Sequence, residues 1–180
     1  MRIDVKTLPV NEIIEDIAEC LGVKINTNSG ELIIEIPEKY GRGSIRGISF
    51  GSGVGYINYN CTFYKDVEIH FSLNTVHPLK FIFCSQGNAG HSFQEAEEVH
   101  TIEAFQNIIV SSSGYNGHVL FFKANVPPMS PVWKSFVQFL RIVPIIILQI
   151  LILCYREFLK TLSRKNSFFT KVIIVLKLQI

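Results

Sequence analysis

Five histidines, His70, His77, His91, His100 and His118, are the side chains best suited to chemistry near neutral pH in this chain. A metal centre inside a β-fold needs three or four converging ligands, typically His-x-His, a following Glu and a later His, and that spacing is absent. His70 shares a strand face with Glu68 and Ser72, opposite the apolar side chains, and His77 precedes Pro78 in a turn. His118 alone opens a strand on the parity of Leu120 and Phe122, so it is the one histidine expected to point inward. No Ser/His/Asp or Cys/His set and no carboxylate pair carries the local sequence of an activated nucleophile or acid–base couple. The sequence therefore assigns no catalytic residue, no metal and no cofactor.

The glycines at 41, 43, 47, 51, 53 and 55 match neither a dinucleotide fingerprint nor a P-loop, which ends in Gly-Lys-Ser/Thr. They are expected instead to make bulges and tight bends between Ile45 to Phe50 and Val54 to Tyr64, where a sheet curls.

The elements that would position these residues are mainly strands. Five runs stand out: Tyr56 to Tyr64, Val67 to Leu73, Leu79 to Cys84, Asn107 to Ser112 and His118 to Ala124. In the second, Val67, Ile69, Phe71 and Leu73 alternate with Glu68, His70 and Ser72, the period of a strand with one buried face. In the third, Leu79, Phe81 and Phe83 are expected on the buried face. Turn residues separate the runs, as in Asn74 to Pro78, Gln86 to Gly90 and Ser113 to Gly117. Upstream, Glu31 to Ile36 reads as a strand stopped by Pro37, after a turn at Thr27-Asn28-Ser29-Gly30.

Before them lies one short helix, Glu12 to Leu21. Asn11 is expected to cap it, Gly22 to end it, and Ile13, Ile14, Ile17, Ala18 and Leu21 to form its apolar stripe, with the acidic residues facing water. Short strands with turn signals at this spacing predict a sandwich or small barrel.

Charge divides the chain in two. Residues 1–104 hold 8 Lys and Arg against 14 Asp and Glu, a net of −6, whereas residues 105–180 hold 9 against 1, a net of +8; together they give the formal +2. Cys20, Cys61, Cys84 and Cys154 form no C-x-x-C pair and read as reduced, mostly buried thiols. The first residues contain no apolar signal region, which favours a cytoplasmic location, and without a signal Asn60-Cys61-Thr62 reads as a chance glycosylation sequon.

The run Tyr59-Asn60-Cys61-Thr62-Phe63-Tyr64-Lys65-Asp66-Val67-Glu68-Ile69-His70-Phe71 is followed by His77-Pro78-Leu79-Lys80-Phe81-Ile82-Phe83-Cys84, by Gln106 to Val110 and by Asn116 to Asn125. Together they resemble the N-terminal domain of AraC-type transcription regulators and, more broadly, the cupin fold, over about residues 1–126. The resemblance implies a cupin-like jelly roll that senses a small-molecule effector and forms a homodimer. Intact members continue into helix-turn-helix units, which this chain lacks after Val126, so it is not expected to bind DNA itself. In cupin enzymes the loop before the last strand leads to a ligand histidine, a position matched here by His118 alone. A small cupin-type metalloenzyme is the alternative from a different class.

Residues 127–180 depart from that family. Between Pro131 and Ile180, 27 of 50 residues are Ile, Leu, Val or Phe, with no Ala, Gly or Asp. Three readings of this apolar, basic and helical tail stand side by side. The segment 132–155 could anchor the chain in a membrane, making it a membrane-anchored binding protein; a packing helix could serve dimerisation; or a frameshift near Val126 to Met129 could have produced it. An interior ligand pocket would lie between sheet faces and be lined by Phe71, Phe81, Phe83, His118, Leu120 and Phe122. The aromatic and aliphatic members of that set equally suit a filled core.

Overall fold

The computed structural model describes residues 1–7, 9–50, 54–72, 80–94, 96, 98–111, 117–126 and 172–177. The described residues are mainly β, with one helix and three sheets among them. It divides into a unit of Met1–Ser130 with Lys171–Ile180 and a unit of Pro131–Thr170; the latter lies outside the described residues.

Strand β1 (Arg2–Val5) leads into helix α1 (Val10–Leu21). The helix buries Ile13, Ile14, Ile17, Ala18 and Leu21, the stripe expected from the sequence. Gly22, with φ 68° and ψ 40°, ends it in the left-handed conformation, and Val23 N–H donates to the Ala18 carbonyl at 3.0 Å. The start differs from expectation. Pro9 holds the N-cap position with no side-chain cap, while Asn11 lies within the helix. Because the fixed φ of proline already suits that junction, the helix begins two residues earlier. Asp16 does not simply face water: its Oδ2 accepts hydrogen bonds from Lys6 N–H at 2.7 Å and Thr7 Oγ1 at 3.1 Å, fastening the β1–α1 link.

A four-stranded sheet follows, in the order β2 (Asn26–Asn28), β3 (Glu31–Glu35), β4 (Gly41–Phe50), β5 (Val54–Phe63). Ser29 and Gly30, both at positive φ, make the two-residue turn between β2 and β3. The ladder of β4 and β5 is unbroken from Gly41 opposite Phe63 to Phe50 opposite Val54, so it contains no bulge, and the bend expected between the two strands falls at residues 51–53, outside the described residues. Its glycines serve close approach instead. A Cβ on Gly47 would lie 2.6 Å from Ile14 Cγ1, and one on Gly55 would collide with Val10. Helix α1 rests on the backbone of this sheet at those two positions.

The five-stranded sheet runs β1, β6 (Val67–Phe71), β11 (His118–Phe122), β8 (Asn88–Phe93), β9 (His100–Glu103). β1 pairs parallel to β6, and the other neighbours are antiparallel. The three-stranded sheet runs β12 (Val172–Lys177), β10 (Gln106–Ser111), β7 (Lys80–Cys84). The described part of the tail, Val172–Lys177, is thus a strand paired antiparallel to β10 and not a helix, in keeping with its β-branched residues.

Two apolar clusters result. The larger joins α1, β1, β3, β4 and β5 to β6 and β11 through residues such as Ile14, Ile34, Ile45, Phe63, Ile69 and Phe122. The smaller holds Cys84, Phe93, Ile102, Ile108 and Val110, and Ile82 packs against both. Among the described residues no helix is long and apolar enough to cross a membrane, and 132–155 lies outside them.

Candidate functional site: a basic cluster between two sheets

Strand register builds the site. On β6, β11 and β8, Phe71 lies opposite His118 and His118 opposite Phe93, while Ile69 lies opposite Leu120 and Leu120 opposite His91. Strand alternation therefore puts Phe71, His118, Phe93, Ile69, Leu120 and His91 on one face of the five-stranded sheet. All six are buried; His91 is 0% and His118 2% exposed. Phe71 stacks flat on the His118 ring with centroids 4.5 Å apart and planes 2° from parallel. The two imidazoles lie 5.4 Å apart, and His91 meets Phe93 edge to face at 5.3 Å.

The three-stranded sheet supplies a third basic group. Lys80, at the start of β7, hydrogen-bonds through Nζ to His118 Nε2, and the same Nζ lies 4.4 Å from the centroid of the Phe71 ring. Burial lowers the Lys80 ammonium to about 7, because the apolar surroundings replace water that would solvate its charge. His91 is pushed down to about 4, first by burial and then by the positive charges of Lys80 and His100. Neither ring nitrogen of His91 has a hydrogen-bond partner among the described residues. At neutral pH the site thus holds a neutral His91 and a Lys80 poised between ammonium and amine.

The other expected lining residues divide. Phe71 and His118 belong to the cluster. Leu120 and Phe122 continue along β11 into the larger core, where Phe122 meets Tyr59 at 5.3 Å and Phe63 at 5.9 Å; that end is filled. Phe81 and Phe83 are not on the inward face. On β7 the residues that join the cores are Ile82 and Cys84, on the parity of Lys80, while Phe81 is 38% exposed. The assumption that aromatic side chains mark the buried face reversed the parity of this strand, and it hid Lys80.

His91 lies on β8, in a stretch between Cys84 and Asn107 where no local pattern announces a strand. Asn88-Ala89-Gly90-His91-Ser92 is too small and polar to signal β8, although Ala89 through Phe93 are all buried. Of the remaining histidines, His70 Nε2 pairs with Glu68 Oε2 at 2.8 Å on the expected polar face. His100 Nδ1 lies 3.8 Å from Glu98 Oε1, and His77 lies outside the described residues. Cys61 and Cys84 are buried free thiols, the former pushed up to about 12 by burial; Cys20 is exposed and Cys154 is outside the described residues.

Among the described residues no group of three His, Cys, Asp or Glu side chains converges as a metal set would; the cluster offers two imidazoles and an amine. Compared with known proteins, the chain matches no family model, no curated protein and no solved structure.

Proposed function

We propose that residues 1–126 form a cupin-like jelly-roll domain that senses a small molecule and dimerises, as the corresponding domain of AraC-like transcription regulators does. The observation that carries this reading is the basic cluster of Lys80, His91 and His118, set among apolar side chains where two sheets meet. A filled core has no use for an imidazole whose two nitrogens lack partners among the described residues, since burying polar groups without partners costs free energy. A ligand that completes those hydrogen bonds offsets that cost, and its binding alters the packing of two sheets at once. A change of that kind can be passed to a partner subunit.

The test is thermal unfolding of the full chain against representatives of several metabolite classes: neutral sugars, amino acids, carboxylates and carbonyl compounds. At least one class is expected to raise the melting temperature of the wild-type chain and to lose that effect in Ile69→Trp, which adds bulk on the sheet face that carries the cluster. If no class stabilises the wild-type chain, the sensing reading fails. DNA retardation provides a second check: residues 1–180 are expected to show no tight, sequence-specific binding, and such binding would overturn a purely sensory reading.

A further inference from the structure

We infer that the Lys80–His91–His118 cluster is the headgroup site for a small organic carboxylate, the ligand class of the sensing reading on which this inference rests. Three observations converge on it. First, the described residues of the cluster are basic, with no acidic side chain among them. Nζ of Lys80 reaches His118 and the face of Phe71, and no ion pair to Lys80 is present among the described residues. The nearest acidic side chain of β6, Glu68, belongs to the opposite strand face, where it pairs with His70. A buried cation without a counter-ion is an unfavourable arrangement that a bound anion relieves.

Second, His91 at 0% exposure holds two nitrogens with no hydrogen-bond partner among the described residues. A neutral imidazole always has one N–H to donate, and a carboxylate oxygen accepts it. With the Lys80 ammonium as a second donor, both oxygens of one carboxylate are served from two facing sheets. The donors differ in strength, and the charged one supplies most of the discrimination between an anion and its neutral analogue.

Third, the surroundings select an organic anion over an inorganic one. Phe71 and Phe93 flank the two imidazoles with ring faces and edges. A fully hydrated ion such as sulfate or phosphate gains nothing from those surfaces, whereas the apolar body of a carboxylic acid is removed from water against them.

Proton linkage gives the inference a signature of its own. Above neutral pH Lys80 is largely an amine; an anion that pairs with it stabilises the ammonium, so binding draws a proton from solution. Calorimetric titration of the full chain at about pH 8, in two buffers of different ionisation enthalpy, measures that uptake. Benzoate is the probe and benzamide its uncharged shape analogue. Benzoate is expected to bind with uptake of a substantial fraction of one proton per site, and benzamide at least about tenfold more weakly.

Lys80→Met keeps the side-chain length and removes the charge; it is expected to weaken benzoate about tenfold or more and to abolish the proton uptake. His91→Phe is expected to weaken benzoate while leaving the uptake in place. Equal binding of benzamide and benzoate, unchanged uptake in Lys80→Met, or no binding of benzoate to the folded wild-type chain would each overturn the inference. A neutral metabolite that stabilises the wild-type chain while benzoate does not bind would leave the sensing reading standing and remove the carboxylate alone.

Discussion

Lys80 and His118 come from different sheets, 38 residues apart in sequence, and hydrogen-bond to each other in the interior. Their contact is the polar junction between β7 and β11, flanked by the ring of Phe71. Polar junctions of this kind fix how two sheets are placed, but they hold charge where charge is costly. Stability and the proposed ligand binding then pull in opposite directions at one residue.

That opposition predicts a stabilising substitution. The folded-state value for Lys80 lies near 7, below the ordinary 10.5, so the unfolded chain binds this proton more readily. The resulting penalty is absent above pH 10.5, grows as pH falls towards 7 and is constant below it. Lys80→Met is expected to raise stability by roughly 1–3 kcal/mol at pH 7 and to flatten the pH dependence between 7 and 10. Urea unfolding at pH 7 and 9.5 checks both; a variant less stable than wild type at pH 7 refutes the account.

His91 controls the acid side. Its folded-state value is near 4 against an ordinary 6.5, so its neutral form contributes stability that is fully present above pH 6.5 and is lost as pH falls through 4. Between pH 7 and 4.5 this group alone is expected to remove about 2 kcal/mol. His91→Phe should shrink the loss by that amount. An acid limb of the same depth in both proteins would show that His91 is not buried in its neutral form.

Gly47 is expected to be intolerant of any side chain. Because an added Cβ would lie 2.6 Å from Ile14 Cγ1 and 2.9 Å from Val10 Cγ1, Gly47→Ala should cost about 1–3 kcal/mol as helix α1 is lifted from the sheet. Ile14→Ala, costly by itself, should cost less in the Gly47→Ala background. A double-mutant cycle in urea reads the coupling, and strict additivity would argue against the close approach.

The register of β12 is testable through exchange. Ile173 and Ile174 lie opposite Val110 and Ile109, and in an antiparallel ladder one of two consecutive N–H groups faces the partner strand. Replacing both by Pro should therefore speed hydrogen exchange of β10 amides while leaving those of α1 unchanged. Equal protection of β10 in the variant and in the wild type would exclude the pairing.

Local pattern made part of this architecture legible. The stripe Ile13, Ile14, Ile17, Ala18, Leu21 announced α1, and the alternation from Val67 to Phe71 announced β6 with its buried side. The five expected runs correspond to β5, β6, β7, β10 and β11, and the strand expected at Glu31 to Ile36 is β3. What escaped lacks a local pattern. β8 is built of small and polar residues because Gly90 must admit Phe121 and Val99, each 3.0 Å from where its Cβ would lie. The parity of β7 is set by its partner β10, where Ile108 opposite Ile82 and Val110 opposite Lys80 face the core. No residue within β7 announces that choice. A cluster assembled from positions 80, 91 and 118 exists only through pairing of distant strands, and His118 was visible because its strand parity happened to be plain.

Strand β12 also sets a timetable. Ser111 and Val172 are opposite each other in the ladder, with about sixty residues between them. While the chain is being made, β10 and β7 can pair as soon as both have emerged, yet the outer side of β10 stays bare until those further residues have been translated. During that interval Ile108, Ile109 and Val110 sit in a strand with open backbone donors and acceptors, available to a neighbouring nascent chain as readily as to their own. Slow translation across residues 112–171 would therefore lengthen the window for misassembly, and a chaperone that shields a strand edge would shorten it.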